Sequence, residues 1–376
     1  MADITQTVSV PASRGAGTGA AAASAATRPP QSERQARIHA ALQRVTNPER
    51  VYPVTVGAGV AAWLAFGAIS QFVPDNVDLP MAATGSIEQT TGFVVIASLV
   101  IAAAWALVWV LGSVRGPARA WAVRHLTHDA KWVLGAGLWF VFWEFSTAKT
   151  GLLAPPYFDA PQQILTSLWT ERGILAESLG SSLLLLAVGF AVGLVAGLTT
   201  GVTIGWFQAA NYWVHPILIF IGPVPSLAWV PIVFVLFPST YSGAVFMIAL
   251  SVWFPITVLT RAGILSVPRS YYDVAQTLGA KGWFLVARVS LPAALPSIFT
   301  GAFMALGASF VSLTVAENFG VNAGLGWYLN YMKGFGNYPG LYAGIVVLVL
   351  VCGAALTLLF RFRNFVLRWE KELTRW

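Results

Sequence analysis

One stretch, residues 272–300 (YDVAQTLGAKGWFLVARVSLPAALPSIFT), lies between two long apolar runs yet carries Asp273, Gln276, Lys281 and Arg288 and two X-Pro steps at Pro292 and Pro296. Arg261 and Arg269 precede it closely. A charged, helix-capable insert of this kind offers ionic and hydrogen-bonding groups to something outside the membrane, because such groups are costly inside it. Its chemistry is that of docking, not of bond-making. The chain contains no G-x-x-x-x-G-K-[ST] phosphate loop, no clustered His/Asp/Glu metal set and no G-x-S-x-G elbow, so any ATP that drives it is hydrolysed by another chain. The pattern predicts a short helix over 271–278, a turn at Gly279, where positive φ costs nothing, and a second helix stopped near Pro292.

Other candidate residues are few. Intramembrane acids are functional candidates by default, and two qualify, Glu144 in VFWEFS and Glu317 in VSLTVAENFG. Glu144 sits near the end of its span and is expected to reach the interface. Glu317 precedes Gly320, Gly324 and Gly326, where it either satisfies exposed backbone amides or serves as a gate. Pro223, Pro225 and Pro231 interrupt one span, and interrupted helices line the pathway in many transporters, though a packing kink would look the same. Ser226, Trp229, Trp253 and Pro255 are placed in the same cavity. His125 and His128, three apart in a basic segment, lack a third ligand and read as a solvated juxtamembrane face. Cys352 lies inside an apolar run, as a small packing residue.

The elements that position these groups are membrane helices. In 376 residues, 57% are hydrophobic and 10% charged, and the mean hydropathy is +0.69, which defines an all-α, polytopic membrane protein. Residues 1–50 are rich in Ala, Ser, Gly and Arg, cannot bury a core and read as a disordered tail with a short helix near 31–43. No apolar signal-peptide core precedes the spans. Apolar runs long enough to cross about 30 Å of hydrocarbon fall at about 53–73, 92–112, 132–148, 175–207, 212–237, 242–260, 295–316 and 341–360, with a tight polar turn at 208–211 and a short amphipathic helix holding Ile164, Leu165 and Leu168. That makes about eight transmembrane helices.

The cationic residues of 1–50, of 115–131, of the insert and of 361–375 fall on one side of eight spans, leaving Lys149, Arg172 and Lys333 on the other. The positive-inside bias then places both termini and the insert in the cytoplasm, and it accounts for the net charge of +7 without nucleic acid.

From Trp132 onward the chain resembles the binding-protein-dependent ABC importer permeases of the nitrate, taurine and sulfonate branch. The resemblance rests on four motifs in order: LLAPPYFDAPQQIL, GPVPSLAWVPIVFVLF, the insert, which is similar to the "EAA" loop, and AENFGVNAGLGWYL. It departs at Asp273 and Val274, where the loop most often has Glu and Ala, and at Val289, where it has Ile. These changes keep charge sign and apolar character.

The resemblance implies a six-helix type I core over 131–376, with a coupling helix near 271–282 that docks on a separate ATPase. Tyr272, Asp273, Ala275, Gln276, Gly279, Ala280, Lys281, Leu291 and Pro292 are the residues expected to carry that contact. It also implies two ATPase subunits holding ATP and Mg, with no cofactor in this chain, a periplasmic substrate-binding protein, a homodimer with the pathway at its two-fold axis, and an inner-membrane location. The helices over 51–130 have no counterpart in that core. The alternative, a self-sufficient secondary transporter or channel, needs an intramembrane ion relay, and no His, Lys or Arg is expected to be buried.

Overall fold

The computed structural model describes residues 53–76, 81–114, 116–153, 155–222 and 224–369. The expected tail over 1–50 and Pro223 lie outside them. Among the described residues there is no strand. The architecture is all-α, as the composition requires.

Helices α1 (Pro53–Phe72), α2 (Met81–Ser113) and α3 (Arg119–Glu144) pack on one another. A π-helical turn, Phe145–Lys149, ends α3, and a proline-rich segment leads to the short α4 (Pro161–Thr170). Pro161 starts α4 because the first turn has amides with no intrahelical partner to lose. Then follow α5 (Arg172–Trp206) and α6 (Gln208–Ile221), a 3-10 turn Ser226–Trp229 with α7 (Val230–Leu236), and α8 (Thr240–Leu265). The remaining helices are α9 (Arg269–Thr277), α10 (Leu291–Phe319), α11 (Leu325–Gly334) and α12 (Tyr338–Val366).

Among the described residues six helices are long and apolar enough to span a bilayer, and α6 with the Ser226–Leu236 segment makes a seventh if this pair, bent by 95°, is one span. The eighth expected span, 132–148, is helical in α3 and its π turn. Trp132, Trp139, Trp143, Glu144 and Lys149 make it less apolar than the others.

Two local expectations need correction. The chain breaks at Phe207, with extended backbone, while 208–211 form the first turn of α6. The helix after the insert does not stop near Pro292. Pro292 occupies the opening turn of α10, where no amide bond is lost, and a π-helical segment Val286–Ser290 joins it to the helical turn Trp283–Leu285.

The core lies between α5, α8 and α10, where Leu185, Met247, Ile248, Phe310 and Leu313 are buried together. Helix α5 lies against α8 along glycines four apart, Gly189, Gly193, Gly197 and Gly201, and any Cβ there would fall 2.5 to 2.7 Å from α8 atoms. Small residues at this spacing let two membrane helices approach closely, and packing rather than the hydrophobic effect holds them. Thr257 adds a bond from its hydroxyl to the Gly197 carbonyl, at 3.3 Å.

Candidate functional site: the insert and the proline-broken span

The insert hangs on Tyr272. Its hydroxyl is 2.6 Å from Ser290 Oγ, and its ring lies 5.9 Å from that of Trp206 at the end of α5. Nothing in α9 is buried. Gly279 has φ +89°, and the amides of Gly279 and Ala280 bond the carbonyls of Gln276 and Ala275, at 2.9 and 3.0 Å. This is the Schellman ending, which needs a left-handed residue after the last turn. Asp273, Gln276 and Lys281 are exposed, Ala275 and Ala280 half-buried, and Leu291 and Pro292 half-buried at the root. Large apolar side chains accompany the charges: Leu278 is 84% exposed, Trp283 66% and Val274 61%. A groove of about 560 Å³ runs between α9, the start of α10 and Trp369 beyond α12.

The proline-broken span borders a cavity of about 440 Å³, walled by Pro225 and Ser226, by Ser251 and Pro255 of α8, and by Ala308 and Ser312 of α10. Ser312 donates to Ser226 Oγ at 2.8 Å, tying α10 to the break. Among the described residues no charged side chain lines it. Trp229 faces away, against the core cluster of Val233 and Leu313. Trp253 also turns elsewhere, its indole donating to Thr200 Oγ1 at 3.1 Å.

Glu317 is outside this cavity. It is 2% exposed, accepts the Ser182 hydroxyl at 2.6 Å and the Gly326 amide at 2.7 Å, while the Leu325 amide donates to Ser182 Oγ at 2.7 Å. The acid and the serine thus cap α11, whose opening amides have no intrahelical partner. Gly324, at φ +104°, has no room for a side chain beside that carboxylate.

Glu144 does not reach the interface. It is 0% exposed and accepts from Gln162 Nε2 at 2.7 Å. A buried lysine is present after all: the Lys149 side chain is 3% exposed and lies 3.8 Å from Glu144. Its ammonium donates to the carbonyls of Ser70 and Val73 at 3.2 and 2.7 Å and to Asp75 at 2.7 Å, all beyond the end of α1 or in its last turn. With its donors committed this way, it ties α1 to α3. His125 and His128 both point their Nδ1 atoms at Asp129, 2.8 and 2.7 Å away. Hydrogen bonds from His128 and then His125 hold that carboxyl below its usual range. No group of three metal-ligating side chains occurs among the described residues.

Several helices long and apolar enough to cross a membrane, a solvent-facing insert and a cavity beside a broken span define a multi-pass membrane protein. The family model of the binding-protein-dependent transport system inner membrane component matches residues 189–368. The chain is 32% identical over 234 residues to the putative aliphatic sulfonates transport permease protein SsuC of Escherichia coli K12, covering 60% of this chain and 87% of that one. It is 28% identical over 233 residues to the formylaminopyrimidine transport permease protein ThiX of Halalkalibacterium halodurans, covering 62% and 92%. It is 31% identical over 203 residues to the bicarbonate transport system permease protein CmpB of Synechococcus elongatus, covering 53% and 70%.

The chain belongs to the family of binding-protein-dependent transport system inner membrane components, as an ABC importer permease of the nitrate and sulfonate type. It is a multi-pass inner-membrane protein. The glycine stripe of α5 was missed from the sequence, although five glycines four apart, 189 to 205, print its signal plainly.

Proposed function

We propose that this chain is the membrane subunit of an ATP-driven importer that moves a small anion, a sulfonate, nitrate or a related acid, from periplasm to cytoplasm by alternating access. The observation that carries the reading is the insert: a helix with no buried residue, presenting Tyr271, Val274 and Leu278 beside Asp273 and Lys281. Exposed apolar side chains rimmed by charge at the end of a membrane bundle suit a protein partner. That partner is an ATPase, which holds the ATP and Mg while this chain holds neither. Small serine-lined walls and the absence of charge in the cavity suit a solute handed over by a separate binding protein, which then sets selectivity. Relatives named for sulfonates and bicarbonate favour an anion.

The cavity opens beside exposed Met304 and Val311, a side suited to a second copy across a two-fold pathway. With α3 and the bent pair taken as spans there are eight crossings, and together with the positive-inside bias this supports a cytoplasmic side for both termini and the insert. Residues 131–376 form the permease core, and the helices of 51–130 are an addition to it.

The test is a pull-down of the tagged chain from gently solubilised native membranes, followed by reconstitution with the recovered partners. A P-loop ATPase should co-purify, and Gly279→Pro should leave ATP hydrolysis running while transport stops. Recovery of the chain alone, or transport by the chain without any ATPase, would overturn the reading.

A further inference from the structure

Trp143, near the end of α3, borders two cavities that are separate from the one beside the broken span. On one side, α1, α2, α3, α4 and α12 enclose an apolar cavity of about 280 Å³ with Trp63, Phe66, Ile101, Phe140 and Val346 in its walls. On the other, a second cavity of about 280 Å³ is walled by Trp139, Phe142, Phe158, Asp159 and Tyr342. Trp143 borders both, and Tyr342 and Val346 stand one turn apart on α12, so the two cavities adjoin along that helix. They lie toward the end of the bundle away from the insert, since α10 leaves the insert and α12 begins beyond its far end.

Among the described residues Asp159 is the one acidic side chain in these walls. It is 3% exposed, and its Oδ2 has no hydrogen-bond partner. Its neighbours are committed elsewhere. The Trp143 indole donates to the Asp159 backbone carbonyl at 2.9 Å, and the Tyr342 hydroxyl donates to the Tyr157 carbonyl at 2.7 Å. A buried carboxylate with no cation costs free energy that a bound cation removes. The aromatic side chains in the same walls, Trp139, Phe142 and Phe158, favour an organic ammonium further. The sign of the charge disfavours an anionic headgroup, and the adjoining apolar cavity, walled in part by the long apolar helices α1, α2 and α12, fits a hydrocarbon chain.

We propose that Asp159 and its aromatic surround bind the ammonium headgroup of a zwitterionic phospholipid, with an acyl chain lying past Trp143 in the apolar cavity. Helices α1 and α2, outside the core shared with the relatives, supply walls of the chain pocket. Burial alone pushes the Asp159 carboxyl up to about 7, so its charged form is disfavoured unless a cation faces it.

The test uses the full chain in detergent, exposed to equimolar dioleoyl phosphatidylethanolamine and dioleoyl phosphatidylglycerol, with retained lipid counted by native mass spectrometry. The wild type should retain the ethanolamine lipid over the glycerol lipid by about tenfold, and Asp159→Asn should bring the ratio near one. Val346→Trp, which fills the chain pocket and leaves the acid in place, should lower ethanolamine-lipid retention by about tenfold; it decides alone if Asp159→Asn fails to fold. Glycerophosphoethanolamine, a headgroup without chains, should not displace the lipid at equal concentration. Equal retention of both lipids by the wild type, an unchanged preference in Asp159→Asn, unchanged retention in Val346→Trp, or displacement by the chainless headgroup would each overturn the proposal.

Discussion

The carboxylate of Glu317 accepts the backbone amide of Gly326 at 2.7 Å, nine positions further along the chain. Through Ser182 the same acid also reaches α5, so three helices meet on one buried group. Removing it strands buried donors, at a cost of about 1–3 kcal/mol. Glu317→Ala should therefore lower the thermal unfolding midpoint in detergent, while transport per folded molecule holds at the wild-type level. Abolished transport with an unchanged midpoint would mark Glu317 as a gate instead.

The contact of α5 with α8 leaves no volume at Gly193, where a Cβ would meet the Ala249 carbonyl at 2.5 Å. Overpacking of this kind costs about 1–3 kcal/mol. Gly193→Ala should destabilise measurably, whereas Gly180→Ala on the same helix, with nothing within 4 Å, should gain up to about 1 kcal/mol from helix propensity. Paired thermal melts of the two variants check the contrast.

Much of the fold was legible because hydrocarbon imposes a length on each apolar run, and Pro and Gly mark the breaks. The insert was legible for the opposite reason, as charge where apolar sequence was due. What escaped depends on partners distant in sequence. Neither the pairing of Lys149 with the end of α1 nor the distance of Glu317 from the cavity can be read from composition. Trp229 and Trp253 flank the cavity in sequence but point to other neighbours. Pro292 misled because a proline ends a helix only when it falls inside one, and here it falls in an opening turn.

Leu278 is 84% exposed at the tip of the insert. Leu278→Asp should leave the unfolding midpoint nearly unchanged, because the side chain buries little within the chain. It should cut recovery of the ATPase in a pull-down by about tenfold, as loss of a central apolar anchor does. Asp273→Lys should weaken the same contact. Full recovery in both variants would move docking elsewhere.

Asp159 gives a pH signature. Its carboxyl titrates at 3.8 when unfolded and about 7 when buried, so the folded state binds the proton more tightly. The resulting stabilisation is complete below pH 3.8 and is lost as the pH rises through about 7. In delipidated protein, the midpoint of the wild type relative to Asp159→Asn should fall steadily across that window. A constant difference would show that the acid is solvated or already paired.

The uncharged cavity beside the broken span makes a steric prediction. Ala308→Trp projects a ring into about 440 Å³ of open space, so the fold should tolerate it. Substrate-stimulated ATP hydrolysis by the assembled complex should continue, while solute uptake into vesicles should fall by an order of magnitude or more, on the order of 1.4 kcal/mol in the barrier. Undiminished uptake would place the pathway elsewhere.

The bond from Lys149 to the Val73 carbonyl spans 76 positions, and during biosynthesis that separation becomes a delay. As the chain emerges, the end of α1 waits for α3 to arrive before its carbonyls and Asp75 find their cation. Once Lys149 is in place, α1 and α3 are latched by a partly buried ionic contact, while the glycine stripe of α5 and all of α8 are still to be made. The first three helices can thus assemble as a finished block against which the permease core is later laid down.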